Sequence, residues 1–421
     1  MLKIDKDKIH IFILCFLACF PLLNMKIANG TVIVLFIFSV LFASNNHKKW
    51  TANGITNLAF LIMPFIYILI HCLLIDQSKE AHFYLEKSLS LGVFPIIFFL
   101  LPLDKKKFDL MFKIWTGCSI LVSVWGLCNT MALLNANVGI NKFWQSYREM
   151  FNDPSFSHLL RSNFENFTKI HPTYASMFLG IGFIYIFNLI IIQKISNKKY
   201  LLFYVFILVM IFGLQLIVAA RTPLIATLLI TIGIYTIHNR KNKKIYLFHA
   251  LATIIVTSLV ILVPSINSRF KEVNLNNTYT PNVNNQNSLN IRAGIYKCSF
   301  EIIKNNCVLG VGPGKLQTKL NECYFGISKE VYERQNYNTH NQILDYWAAM
   351  GVLAPILLIL FFGRIIINFH DSANNYLILG LIFLFLICML TENILNRQNG
   401  VIPFALFMSF LGLQNKPNFT K

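Results

Sequence analysis

Three residues in this chain combine a reactive side chain with an unusual setting: Arg221 in "LIVAARTPLIATLLI", Arg292 in "NIRAGIYKCSFEII" and His340 in "YNTHNQILDYW". Arg221 lies in the tight "ARTP" turn between two apolar blocks. An arginine at that depth either snorkels to the surface as an anchor or faces protein or a cavity. Arg292 stands one residue from an apolar stripe, near the start of a helical pattern, where it is either a charge on a solvated face or a ligand for an anion. Two planar guanidinium forks suit a diphosphate, because each holds phosphoryl oxygens bidentately. Near the headgroup boundary that attraction is less screened than in bulk water. Histidine changes charge near neutral pH, so His340 can take a proton from a hydroxyl, and a positioned general base contributes about 10²–10⁴-fold. Its neighbours Asn338, Asn341 and Gln342 either fix the ring's tautomer or hold sugar hydroxyls, or else form a hydrated cap on the helix that follows.

"GVGPG", from Gly310 to Gly314, lacks the Lys-Ser or Lys-Thr of a phosphate-binding Walker loop and the strand-to-helix context of a dinucleotide fingerprint. Gly312 and Gly314 are expected to permit a tight turn or the close approach of a substrate. The nine cysteines show no CxxC or Cys/His spacing, so neither a metal nor a cofactor is implied. Cys298, Cys307 and Cys323 fall in one polar segment, where one disulfide is possible and one thiol is left over, with no pairing favoured.

These residues need a frame, and the composition says of what kind. Of 421 residues 55% are hydrophobic and only 13% charged, and the apolar ones fall in blocks long enough to enter a bilayer. About twelve spans can be drawn, near 9–24, 27–44, 57–75, 85–102, 111–134, 171–192, 199–220, 222–238, 245–264, 343–363, 375–391 and 399–414. No small-x-small cleavage site follows the first block, which is expected to be a retained span. Lys plus Arg number 37 against 18 acids, a formal net charge of +19. In a soluble chain that excess would point to nucleic acid, but in a membrane chain its distribution matters more. With a cytoplasmic N-terminus the inner segments hold eighteen basic residues, among them Lys105, Lys106, Lys107, Arg240, Lys241, Lys243 and Lys244, while the short outer loops hold only five, Lys26, Lys79, Lys87, Arg221 and Arg397. The bias follows the positive-inside rule, puts both termini in the cytoplasm, and makes membrane lipids rather than nucleic acid the expected surroundings.

Two outer segments are too long to be turns. Residues 135–170 are aromatic and basic, as in helices that lie at a bilayer surface. The second opens with "VNLNNTYTPNVNNQNSLN", which cannot bury an apolar face. Beyond it Ile291, Ile295, Cys298 and Ile302 follow helical spacing, with Ser288 or Asn290 available as N-cap, and "SKEVYERQNYN" reads as a further short polar helix. The expected organisation is nine spans over 1–264, an outer catalytic loop over 265–340, and the last three spans with an inner tail over 341–421.

Taken together, "AARTP", "IRAGIYKCSFEIIKNNCVLGVGPG" and "YNTHNQILDYWAAMGVLAPILL" resemble the O-antigen ligase and polymerase family of bacterial inner-membrane enzymes, and "HPTYASMFLG" at His171 and "LTENILNRQNG" around Arg397 extend the likeness. The resemblance implies a GT-C-like, all-α polytopic membrane protein with a large helical periplasmic loop between spans nine and ten. It implies a ligase that takes a glycan from undecaprenyl diphosphate to a sugar hydroxyl of the lipid A core, without metal or cofactor and with inversion. On that reading His340 is the base, Arg221 and Arg292 bind the diphosphate, and Gly312, Gly314, Asn338, Asn341, His171 and Arg397 contact substrate. Within the same superfamily a polymerase or a protein O-oligosaccharyltransferase is the alternative. A flippase would instead be expected to carry ionisable groups within its spans or paired broken helices.

Overall fold

The computed structural model describes residues 5–43, 51–138, 154–192, 195, 197–218, 220–242, 245–246, 249–250, 288–369 and 375–413. Among them every regular element is helical. The principal helices are α1 (Lys6–Ala18), α2 (Met25–Phe42), α3 (Ala52–Ile70), α4 (Lys79–Leu100), α5 (Lys105–Val138), α6 (Pro154–Thr168), α7 (Pro172–Ile192), α8 (Lys198–Val218), α9 (Arg221–His238), α10 (Ser288–Asn305), α11 (Leu316–Tyr332), α12 (Gln342–Met350), α13 (Leu353–Phe369), α14 (Asn375–Met389) and α15 (Gln398–Leu413). Polar caps start several of them. Asp5 accepts from Asp7 and Lys8 amides, Thr51 from that of Gly54, and Ser78 from that of Ala81, each satisfying donors that have no partner inside the helix.

Seven of these helices are long and apolar enough to cross a membrane, which is the make-up of a polytopic membrane protein. Three shorter apolar helices, Leu353–Asn368, Tyr376–Met389 and Gln398–Leu413, accompany them. On α8 the large side chains Leu202, Phe206 and Val209 are exposed, as suits a surface whose solvent is lipid. The span expected at 245–264 and the Asn-rich tract lie largely outside the described residues.

The chain forms two units. The first, Met1–Thr31, Lys105–Val273 and Leu379–Ile387, is centred on α5 and α7. Trp115 donates its ring N–H to the carbonyl of Phe178 at 3.2 Å, and its ring stacks on Phe20. Gln215 on α8 donates to the carbonyl of Ser176 at 2.9 Å and to Thr227 at 3.3 Å, which joins α7, α8 and α9 by a buried amide. Such a group would be costly in an apolar interior without partners.

The second unit, Val32–Asp104, Asn274–Ile378 and Cys388–Lys421, packs α15 against α3 and α4, and α13 against α3. Here α10 runs as expected, with Ile295, Cys298 and Ile302 buried. One expectation is corrected. The single span read at 343–363 is two helices, α12 and α13, separated at Gly351 with φ +80°. That backbone is open to glycine, and hydropathy does not register it. The short helix expected at "SKEVYERQNYN" is present: the non-helical Ser328 kinks α11, and a second short helical stretch follows it to Tyr332. Buried Leu316, Leu320 and Tyr324 hold the earlier turns of α11, and Tyr324 stacks on Tyr332 at 4.8 Å.

Candidate active site

The turn before α12 is built by the polar run from Asn338 to Asn341. Asn338 Oδ1 accepts from the backbone N–H of His340 at 2.9 Å. Asn341 Oδ1 caps α12, accepting from the amides of Ile343 at 3.0 Å and Leu344 at 3.1 Å. Between them His340 takes φ +46°, a left-handed backbone that few non-glycine residues adopt and in which histidine is enriched. Asn338 and Asn341 thus shape the turn, and Asn341 also donates to the carbonyl of Leu390 at 3.3 Å. The imidazole is held partly exposed, with Nδ1 3.7 Å from Oε2 of Glu392.

Glu392 lies in the connection between α14 and α15, and a buried polar cluster joins that connection to the His340 turn. Asp345 Oδ1 accepts from Asn393 Nδ2 at 2.7 Å and from the Thr339 hydroxyl at 3.2 Å, while its Oδ2 accepts from Asn396 Nδ2 at 2.7 Å. Gln342 Oε1 accepts the backbone N–H of Leu395 at 2.8 Å. Asp345, Thr339, Asn393 and Gln342 are all buried.

The glycine loop closes the other end of α12. Amides of Val311 and Gly312 donate to the carbonyls of Ala348 at 2.9 Å and Ala349 at 2.8 Å, so acceptors left open at the helix end are satisfied. Tyr67 donates to the carbonyl of Met350 at 2.8 Å. Gly312 and Gly314 lie against the turn between α3 and α4: a Cβ on Gly312 would meet Asp76, and one on Gly314 would meet Ser78. The Gly314 amide donates to Asp76 Oδ2 at 2.8 Å. Burial alone would raise Asp76, yet the bonds from Ser78 and Gly314, with the nearby Lys315 charge, hold it below the ordinary carboxylate value. Both glycines therefore have a packing reason in this fold.

Arg292 is half-buried in the first turns of α10, and α10 packs on both α11 and α12. A disulfide between Cys298 and Cys323 joins α10 to α11, leaving Cys307 as an exposed thiol. Tyr332 donates to the carbonyl of Ile291 at 2.9 Å, which braces the backbone beside Arg292. Arg397 is exposed between the short turn Ile394–Asn396 and α15, and its carbonyl accepts from the amides of Gly400 and Val401, both at 2.9 Å. Arg221 and His171 belong to the first unit. Arg221 opens α9 and is half-buried. His171 precedes α7, and its Nδ1 accepts from the Thr173 amide at 3.3 Å.

The second unit thus brings His340, Asn338 and Asn341 together and adds Glu392 and Asp345, which reasoning from sequence missed. Both left a signal. Asp345 is an ionisable residue inside an apolar block, and Glu392 is the acid of the otherwise neutral-to-basic "LTENILNRQNG". An imidazole beside a carboxylate can accept a proton and have the resulting charge offset. No curated protein matches the chain. Residues 206–362, which run from within α8 to within α13 and include Arg221, Arg292 and His340, match the family model described as O-antigen ligase, and over that stretch the chain carries the O-antigen ligase family's domain.

Proposed function

We propose that this protein is a glycosyltransferase of the ligase type, moving a glycan from undecaprenyl diphosphate to a sugar hydroxyl of the lipid A core at the periplasmic face. The observation that carries the reading is the His340–Glu392 pair, whose histidine stands on a left-handed turn within the matched family region. His340 takes the proton of the acceptor hydroxyl as that oxygen attacks the anomeric carbon. The bond from that carbon to the diphosphate oxygen breaks, and the diphosphate leaves with the electron pair, so a single displacement inverts configuration. Glu392 offsets the imidazolium charge as it forms. At 3.7 Å the pair is looser than a direct hydrogen bond, and contacts of this kind commonly tighten when substrate is bound.

The donor's diphosphate is assigned to Arg292 and Arg221 by family resemblance, supported by the fork chemistry of arginine. In the same reading residues 265–340 form the periplasmic catalytic segment, about twelve spans anchor the chain in the inner membrane, and both termini are cytoplasmic. The donor already carries its activation in the sugar phosphate bond, so neither nucleotide nor metal enters the mechanism.

Deletion of the gene tests the acceptor. Loss of O antigen from the lipid A core, with lipid-linked polymer accumulating, supports the ligase. A core that still bears a single repeat unit contradicts it and indicates a polymerase. Glycan transfer by purified protein in detergent, without a gradient, separates the enzyme from a flippase.

A further inference from the structure

We propose that Asp345 is a positioning residue that sets the distance between His340 and Glu392 by holding the residue next to each. This rests on the reading of His340 as base. Thr339 immediately precedes His340, and Asn393 immediately follows Glu392. Both converge on one oxygen of Asp345, the Thr339 hydroxyl at 3.2 Å and Asn393 Nδ2 at 2.7 Å. They also contact each other, Asn393 Nδ2 donating to Thr339 Oγ1 at 2.9 Å. The second oxygen of Asp345 takes Asn396 Nδ2, and Gln342 accepts the Leu395 amide, so the connection is gripped again one turn further on. All of these bonds but the one from Thr339 to Asp345 join the start of α12 to the segment 393–396, which is remote in sequence. The shortest covalent paths from Asp345's partners to the reacting pair are single peptide bonds.

The arrangement has a physical reason. His340 sits on an uncommon left-handed turn, and such a conformation persists only where its surroundings over-determine it. A side chain on a loose turn would sample many orientations, whereas a general base must lie within hydrogen-bond reach of the proton it takes. The buried carboxylate supplies acceptors aimed at both loops at once. It does not touch the imidazole in any bond described above, so its effect passes through Thr339 and Asn393.

The test uses full-length protein in detergent with a polyprenyl-diphosphate-linked glycan as donor, and kcat is expressed per molecule that binds the donor. Asp345→Ala is expected to lower kcat by about 10- to 100-fold with donor KM unchanged, the loss that a misplaced reacting group causes. Asp345→Asn keeps the shape, and a turned Asn393 amide restores the contacts, so it is expected to stay within about threefold of the parent. Thr339→Val, which removes one hydroxyl at equal volume, is expected to fall between them. An Asp345→Ala protein whose kcat per donor-binding molecule equals the parent's overturns the proposal, even if less of it folds. Asp345→Asn as impaired as Asp345→Ala also overturns it, since the charge itself would then be required. His340→Ala separates the two levels: if it is fully active the base reading falls and takes this proposal with it. If it is inactive while Asp345→Ala is active, only the positioning role is lost.

Discussion

His340 Nδ1 faces Glu392 Oε2 across 3.7 Å, joining the turn that starts α12 to the connection between α14 and α15. Neither side chain is fully exposed, at 26% and 17% of its free surface, so each is partly shielded and still retains a route to solvent.

For the chemistry, His340→Ala is expected to lower kcat for glycan transfer by about 10²–10⁴-fold, the usual worth of a positioned base. Glu392→Gln keeps the shape and removes the charge, and is expected to lose less, about tenfold. Steady-state kinetics on protein purified to equal monodispersity checks both. Full activity of His340→Ala would sink the assignment.

For the backbone, Gly351→Ala is expected to destabilise the second unit by about 1–3 kcal/mol or more. The residue has φ +80°, and a Cβ there would run into the carbonyl of Val308. Gly363, on α13, has nothing within 4 Å of the same position, and Gly363→Ala is expected to leave stability unchanged or slightly raised. Thermal melting in detergent compares the two. Equal midpoints would mean that the break between α12 and α13 is not under steric control.

For pH, Asp76 is held below its ordinary value of 3.8, so its bonds to Ser78 and Gly314 stabilise the folded protein above that value and are lost as pH falls through the lower folded value. Asp76→Asn is therefore expected to melt earlier than the parent at pH 7, with the gap closing below about pH 4. A gap that persists unchanged at pH 3 would show that the carboxylate charge contributes nothing to the loop's attachment.

For the segment proposed to be periplasmic, Cys307 is exposed whereas Cys298 and Cys323 are joined. A membrane-impermeant maleimide applied to spheroplasts is expected to label Cys307 without reductant, and Cys307→Ser is expected to abolish that label. Labelling that requires lysis would place the segment on the cytoplasmic side and contradict the proposed topology.

Much of the architecture was readable because lipid leaves few options. Backbone polar groups must be satisfied inside the segment, so apolar blocks become helices, and their lengths announce themselves. The stripe Ile295, Cys298, Ile302 foretold the buried face of α10, and the glycines of "GVGPG" foretold a turn. Reading fared worse where a long-range contact outweighed the local pattern. The apolar block at 343–363 reads as one span, yet it is two helices separated at Gly351, whose positive φ packs its Cα against the Val308 carbonyl. The pairing of Cys298 with Cys323 depends on a Cα separation of 5.7 Å, which spacing along the chain does not encode.

By itself the amino-acid sequence determined that the chain is a helical membrane protein and that Arg221, Arg292 and His340 are its chemically costly residues, since hydropathy and residue type are local properties. Tertiary structure decided which groups stand around the histidine. Glu392 reaches it, and Asp345 ties together the residues beside both, only because α12, broken from α13 by one left-handed glycine, meets a connection about fifty residues away, and no local pattern of side chains specifies that meeting.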